Sequence, residues 1–158
     1  GLILNQTVKE NFASAMIDRY TKGKGIIVDK KRVDRNADKW IQKLNVSTPS
    51  GDVMVETLSG GNQQKVVVGK WLETSPDVII LNEPTRGIDV GAKVEIYKLI
   101  EELCRDGMAV VMVSSEQAEI LSLTDRAIVL CEGRLTGELD CGDYTQERLM
   151  EYAIGGEA

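Results

Sequence analysis

VIILNEPTRGIDVGAK, residues 78–93, is the stretch from which the fold can be read. Val78-Ile79-Ile80-Leu81 is a continuous apolar run that stops at Asn82-Glu83-Pro84, the pattern expected of a strand buried on both faces. A helix is predicted to follow from Val90 to Arg105, with Val94, Tyr97, Leu99, Ile100 and Leu103 on its apolar side, ended by Asp106-Gly107. Ala109 to Val113 repeats the strand pattern, Glu116 to Leu123 reads as a short helix, and Ala127 to Leu130 as a third strand. Glu132-Gly133-Arg134 turns into a shorter strand near Leu135 to Leu139, and a helix over Gln146 to Ile154 follows. Strands alternating with helices imply right-handed crossovers and a mostly parallel sheet, an α/β class. In such sheets ligands bind beyond the carboxyl ends of the strands. Asn82-Glu83 and Ser114-Ser115-Glu116 stand at two such ends.

Upstream the texture is helical. Thr7 with Glu10 three residues on has the pattern of a capping box. Val33, Ala37, Trp40, Ile41 and Leu44 form one helical face, which Thr48-Pro49-Ser50-Gly51 interrupts, and a third helix is expected from about Asn62 to Leu72. The formal charge of −6 argues against a nucleic-acid footprint. No apolar run approaches the roughly 20 residues of a membrane span. With no histidine, a Ser-His or Cys-His nucleophile pair is excluded, so chemistry rests on carboxylates, amides and backbone donors. Cys104, Cys131 and Cys141 lack metal-ligand spacing and read as reduced thiols of no special role. Trp40 and Trp71 read as helix-packing residues, and the charges from Lys22 to Arg35 as a solvated face.

LSGGNQQK, residues 58–65, invites a ligand reading. Ser59 is suited to cap the following helix, while Gly60 and Gly61 leave room for an anion at its free N–H groups. Taken alone, most such runs are ordinary turns. Glu83, held at a strand tip, is suited to orient or deprotonate a water, although a solvated strand end accounts for it equally well.

In combination these segments resemble the nucleotide-binding subunits of ABC transporters. LSGGNQQK looks like their signature motif, VIILNEPT like their Walker B strand, and GIDVGAK like their D-loop and the helix behind it. EPTRGIDVGAK (Glu83 to Lys93), SSE (Ser114 to Glu116) and GLILNQTVKENF (Gly1 to Phe12) are closer still to sugar importers with two cassettes per chain, at the second, C-terminal cassette. The resemblance implies the C-terminal part of a P-loop NTPase (RecA-like) parallel sheet, preceded by an ABC-type helical subdomain. It divides the chain into residues 1–72, with the signature motif, and residues 73–158, with Walker B, the D-loop and the switch region. It further implies Glu83 as catalytic carboxylate, and Ser59, Gly60, Gly61, Gln64, Asp89 and Ser115 as nucleotide-facing. ATP and Mg²⁺ are the expected ligands, with Asn82 at the metal position.

Two departures qualify this. The chain contains no G-x-x-x-x-G-K-[ST], and Gly23-Lys24-Gly25 only imitates one, so the strand and loop that hold the β- and γ-phosphates in the family are expected upstream of Gly1. Asn82 stands where the family has aspartate, which keeps an oxygen acceptor but loses the charge that helps hold Mg²⁺. The family's missing strand lies between those at Ala109–Val113 and Ala127–Leu130, so unpaired strand edges are expected, with marginal stability or oligomerisation. The implied function is part of an ATP-binding subunit of a bacterial sugar importer that does not hydrolyse ATP by itself. Its implied partners are a second cassette, permease subunits and, indirectly, a periplasmic or extracellular sugar-binding protein. The implied location is cytoplasmic, peripheral on the inner face of the cell membrane. The alternative is a non-catalytic partial cassette that binds or regulates a partner; a DNA-repair or chromosome ATPase is disfavoured by the acidic charge.

Overall fold

The computed structural model describes residues 1–22, 27–143 and 145–156. Gly23-Lys24-Gly25 lies outside the described residues. The chain divides into two compact units, Gly1–Val111 and Met112–Ala158.

The first unit opens with α1 (Val8–Ser14), where Thr7 and Glu10 form the expected reciprocal capping box. The Thr7 N–H donates to Glu10 Oε2 at 2.8 Å and, with the Thr7 hydroxyl, holds that carboxyl below its usual pKa. After a 3₁₀ turn (Ile17–Tyr20) and a minimal antiparallel pair, β1 (Thr21–Lys22) and β2 (Ile27–Val28), comes α2 (Lys30–Lys43). Val33, Ala37, Trp40 and Leu44 are buried, as their spacing predicts. The helix ends with Asn45 in the left-handed region (φ 48°): Val46 N–H donates to Ile41 O and Asn45 N–H to Gln42 O, satisfying carbonyls that would otherwise be orphaned. Against α1 packs α3 (Gly60–Leu72), whose Val66 and Val68 join the core with Phe12 and Val8.

Glu73, at the end of α3, accepts from the Tyr20 hydroxyl and, at 2.6 Å, from Trp40 Nε1. One carboxylate thus fastens two aromatic side chains from different segments. Burial and this partner push the Tyr20 phenol above its ordinary pKa. Trp40 therefore packs as expected. Trp71 does not: it is 46 % exposed.

β3 (Val78–Asn82) and β4 (Ala109–Val113) pair side by side as a small parallel sheet, joined through α4 (Val90–Arg105). The expectation that Val78–Leu81 is covered on both faces fails. Ile79 and Leu81 are buried, but Val78 and Ile80 are 53 % and 70 % exposed. Burial follows the period-two alternation of the pleat and not the apolar run. The apolar side of α4 is also displaced: Ile96, Ile100 and Leu103 are buried, whereas Val94 is exposed.

In the second unit, α5 (Gln117–Leu123) precedes an antiparallel hairpin, β5 (Arg126–Cys131) and β6 (Arg134–Asp140), and α6 (Gln146–Ala153) follows. Ala127, Leu139, Leu149 and Tyr152 form its core, with Ile120 and Val129 packed against them. Among the described residues the strands form three two-stranded sheets, β1–β2, β3–β4 and β5–β6.

Candidate functional site

The tip of α3 is built by a side-chain exchange that differs from the expected cap. Ser59 has the extended backbone of an N-cap, and its carbonyl accepts from Gln63 N at 2.9 Å. Its side chain, however, caps nothing. The hydroxyl oxygen accepts instead from Asn62 Nδ2 at 2.9 Å, while Asn62 Oδ1 accepts from Ser47 N at 2.7 Å. The expected Ser59 cap is therefore corrected: Asn62 reaches back one turn and draws the hydroxyl off the helix amides. The N–H groups of the first turn, at Gly60, Gly61 and Asn62, have no acceptor inside the helix and carry its positive end.

The two glycines serve different purposes. Gly60 is exposed, and a β-carbon there would meet the Ile88 methyl at 3.2 Å and Gly87 O at 3.7 Å. Gly61 is buried, and a β-carbon would lie 2.5 Å from that of Ala92 on α4. Its lack of a side chain is thus required by helix packing. Lys65 strengthens the same junction: its buried ammonium donates to Asn45 O at 2.7 Å and pairs with Glu95 at 2.8 Å. The segment from Gly87 to Glu95 consequently lies against the first turns of α3.

Asp89 begins α4, where its side chain accepts from Ala92 N at 2.9 Å. Glu83 follows β3 with φ 48°, a left-handed backbone uncommon for glutamate. Gln64 points away from the tip. It lines a largely apolar cleft of about 280 Å³ with Asn82, Pro84, Val67, Trp71 and Ile80, and Ser59, Gly60 and Gly61 are not among its walls. Ser115 is exposed and belongs to the second unit; beside it, Ser114 donates its hydroxyl to the buried Glu119 at 2.7 Å. The structure therefore gathers Ser59, Gly60 and the 87–89 loop at one place, and Gln64 with Asn82 at another.

Among the described residues no three acidic, cysteine or histidine side chains cluster as a metal site, and Asn82 offers one neutral carbonyl oxygen. These residues do not by themselves fit a resident Mg²⁺. Sequence reasoning missed Asn62 and Lys65. Asn62 stands three residues after Ser59, the spacing of a capping box, which was a usable signal. Lys65 had none, because its acceptors come from α4 and from the loop after α2.

A family profile described as ABC transporter matches residues 1–86. The chain is 50 % identical over 156 residues to the ribose import ATP-binding protein RbsA of Bacillus licheniformis, covering 99 % of this chain and 31 % of that protein. It is 49 % identical over 157 residues to the xylose import ATP-binding protein XylG of Moorella thermoacetica, with the same shares covered. The chain thus spans under a third of the length of the curated relatives it matches. Among solved structures, the ATP-binding cassette MJ1267 of an ABC transporter superposes with a TM-score of 0.78 at 23 % identity, covering 97 % of this chain and 64 % of that one. The cassette MJ0796 bound to ADP and Pi superposes with a TM-score of 0.74 at 24 % identity, covering 91 % and 60 %.

Proposed function

The chain belongs to the ABC transporter family, and from that premise we propose that it is part of an ATP-binding subunit driving sugar import. In this reading the tip of α3 contributes to an ATP whose phosphates are held by a second cassette. Ser59, Gly60 and Gly61 face its terminal phosphate, with Gln64 on the same helix and Asp89 in the adjoining loop. Residues 1–72 form the helical part that carries this tip, and residues 73–158 the part with Glu83, Asn82 and Ser115. Glu83 serves a second composite site as the carboxylate that orients water, and Ser115, at the switch position, is a nucleotide-facing residue. The observation that carries the proposal is the uncapped, positively polarised tip of α3, with an exposed glycine and a serine hydroxyl whose oxygen is held away from the helix amides.

The remaining partners are permease subunits, through which the protein sits on the cytoplasmic face of the membrane, and indirectly a sugar-binding protein. Among the described residues no helix is long and apolar enough to cross a membrane. ATP is the substrate; Mg²⁺ accompanies it, with Asn82 supplying a weak, neutral contact.

The neutral Asn82 also favours a second reading, a non-catalytic cassette that binds and regulates a partner. Two measurements separate them. The 158-residue chain alone is expected to hydrolyse no ATP, and to associate in an ATP-dependent way with a cassette carrying G-x-x-x-x-G-K-[ST]. Turnover by the chain alone that Glu83→Gln abolishes would overturn the composite-site proposal. Association without any hydrolysis by the complete assembly would favour the regulatory reading.

A further inference from the structure

We infer that Asn62 is a positioning residue that sets the direction of the Ser59 hydroxyl, so that its hydrogen is presented to an anionic oxygen beyond the tip of α3. The inference rests on the functional reading above and adds a residue and a mechanism to it.

Ser47 N–H can only donate, so the group 2.7 Å from it must be the Asn62 carbonyl oxygen. That fixes the orientation of the amide. Its nitrogen, also donor only, must then be the atom 2.9 Å from Ser59 Oγ, and the hydroxyl oxygen must accept. The hydroxyl hydrogen cannot point at Asn62. Among the described residues the hydroxyl donates to no protein acceptor. A hydroxyl that accepted from a first-turn N–H, as a capping serine does, would lie where an anion must approach. Here it is drawn aside, its hydrogen is available outward, and the first-turn amides stay uncovered. A phosphate oxygen is acceptor only and gains from both.

The experiment uses the full-length protein in its transport assembly, with ATP as the probe. Asn62→Asp keeps an acceptor for Ser47 but loses the donor to Ser59. It also puts a negative charge in the first turn, which favours the helix itself. Half-saturating ATP for hydrolysis is expected to rise about tenfold, the scale of one charge-assisted hydrogen bond, while the thermal midpoint holds or rises. Asn62→Ala, which adds no charge, is expected to weaken ATP use in the parent but to add nothing in a Ser59→Ala background. If Asn62→Ala costs as much in that background as in the parent, Asn62 is structural and the inference is overturned with the functional reading intact. If Ser59→Ala itself leaves ATP dependence unchanged, the reading of the α3 tip fails, and the inference with it.

Discussion

Glu83 combines a carboxylate with a backbone angle that glutamate rarely adopts (φ 48°). A left-handed conformation costs an L-residue about 1–2 kcal/mol, which glycine avoids. At most positions Gly is less stable than Ala by roughly 0.5–1 kcal/mol. At this one the order should invert: Glu83→Gly is expected to be more stable than Glu83→Ala by about 1 kcal/mol in urea unfolding. The opposite order would show that the turn relaxes when the side chain is removed. Neither variant should support hydrolysis in the assembly if Glu83 orients the water.

At the scale of elements, the junction of α3 with α4 is set by the absence of a side chain at Gly61. Gly61→Ala places a methyl group against Ala92 and should cost about 1–3 kcal/mol as the helices separate. Ala92→Gly supplies the missing space, so the double variant should recover at least half of that loss despite glycine's poor helix propensity. Simple additivity of the two losses would show that the contact is not tight. The elements themselves were largely legible from sequence, because periodicity, the Thr7 capping box and the Asp106-Gly107 stop are local signals. What escaped was tertiary. Val78 to Leu81 gives the same apolar run whether one face or two are covered. The spacing on α4 does not say whether Val94 or Ile96 turns inward. The motifs pointed to the α3 tip, but the roles of Asn62, Lys65 and Gly61 depend on Ser47, Asn45, Glu95 and Ala92, which lie on other segments.

For the whole chain, each compact unit bares apolar residues on its sheet: Val78, Ile80 and Val111 in the first, Ile128, Leu130 and Leu135 in the second. Contiguous exposed apolar surface of this kind promotes association. The 158-residue chain is expected to bind a hydrophobic dye and to associate with rising concentration in sedimentation. Ile80→Lys with Leu130→Lys should reduce both without loss of helical circular dichroism. A dye-silent monomer would contradict this. The two tryptophans separate these events by light. Trp40 is enclosed, its indole N–H on Glu73 and the Lys39 and Lys43 ammonium groups 5.0 and 5.6 Å from its ring. Trp71 stands half in water on the wall of the cleft beside β3. A soluble quencher should therefore reach Trp71 and spare Trp40. Emission from Trp71 then reports whatever settles along β3, and emission from Trp40 the integrity of the helices behind it.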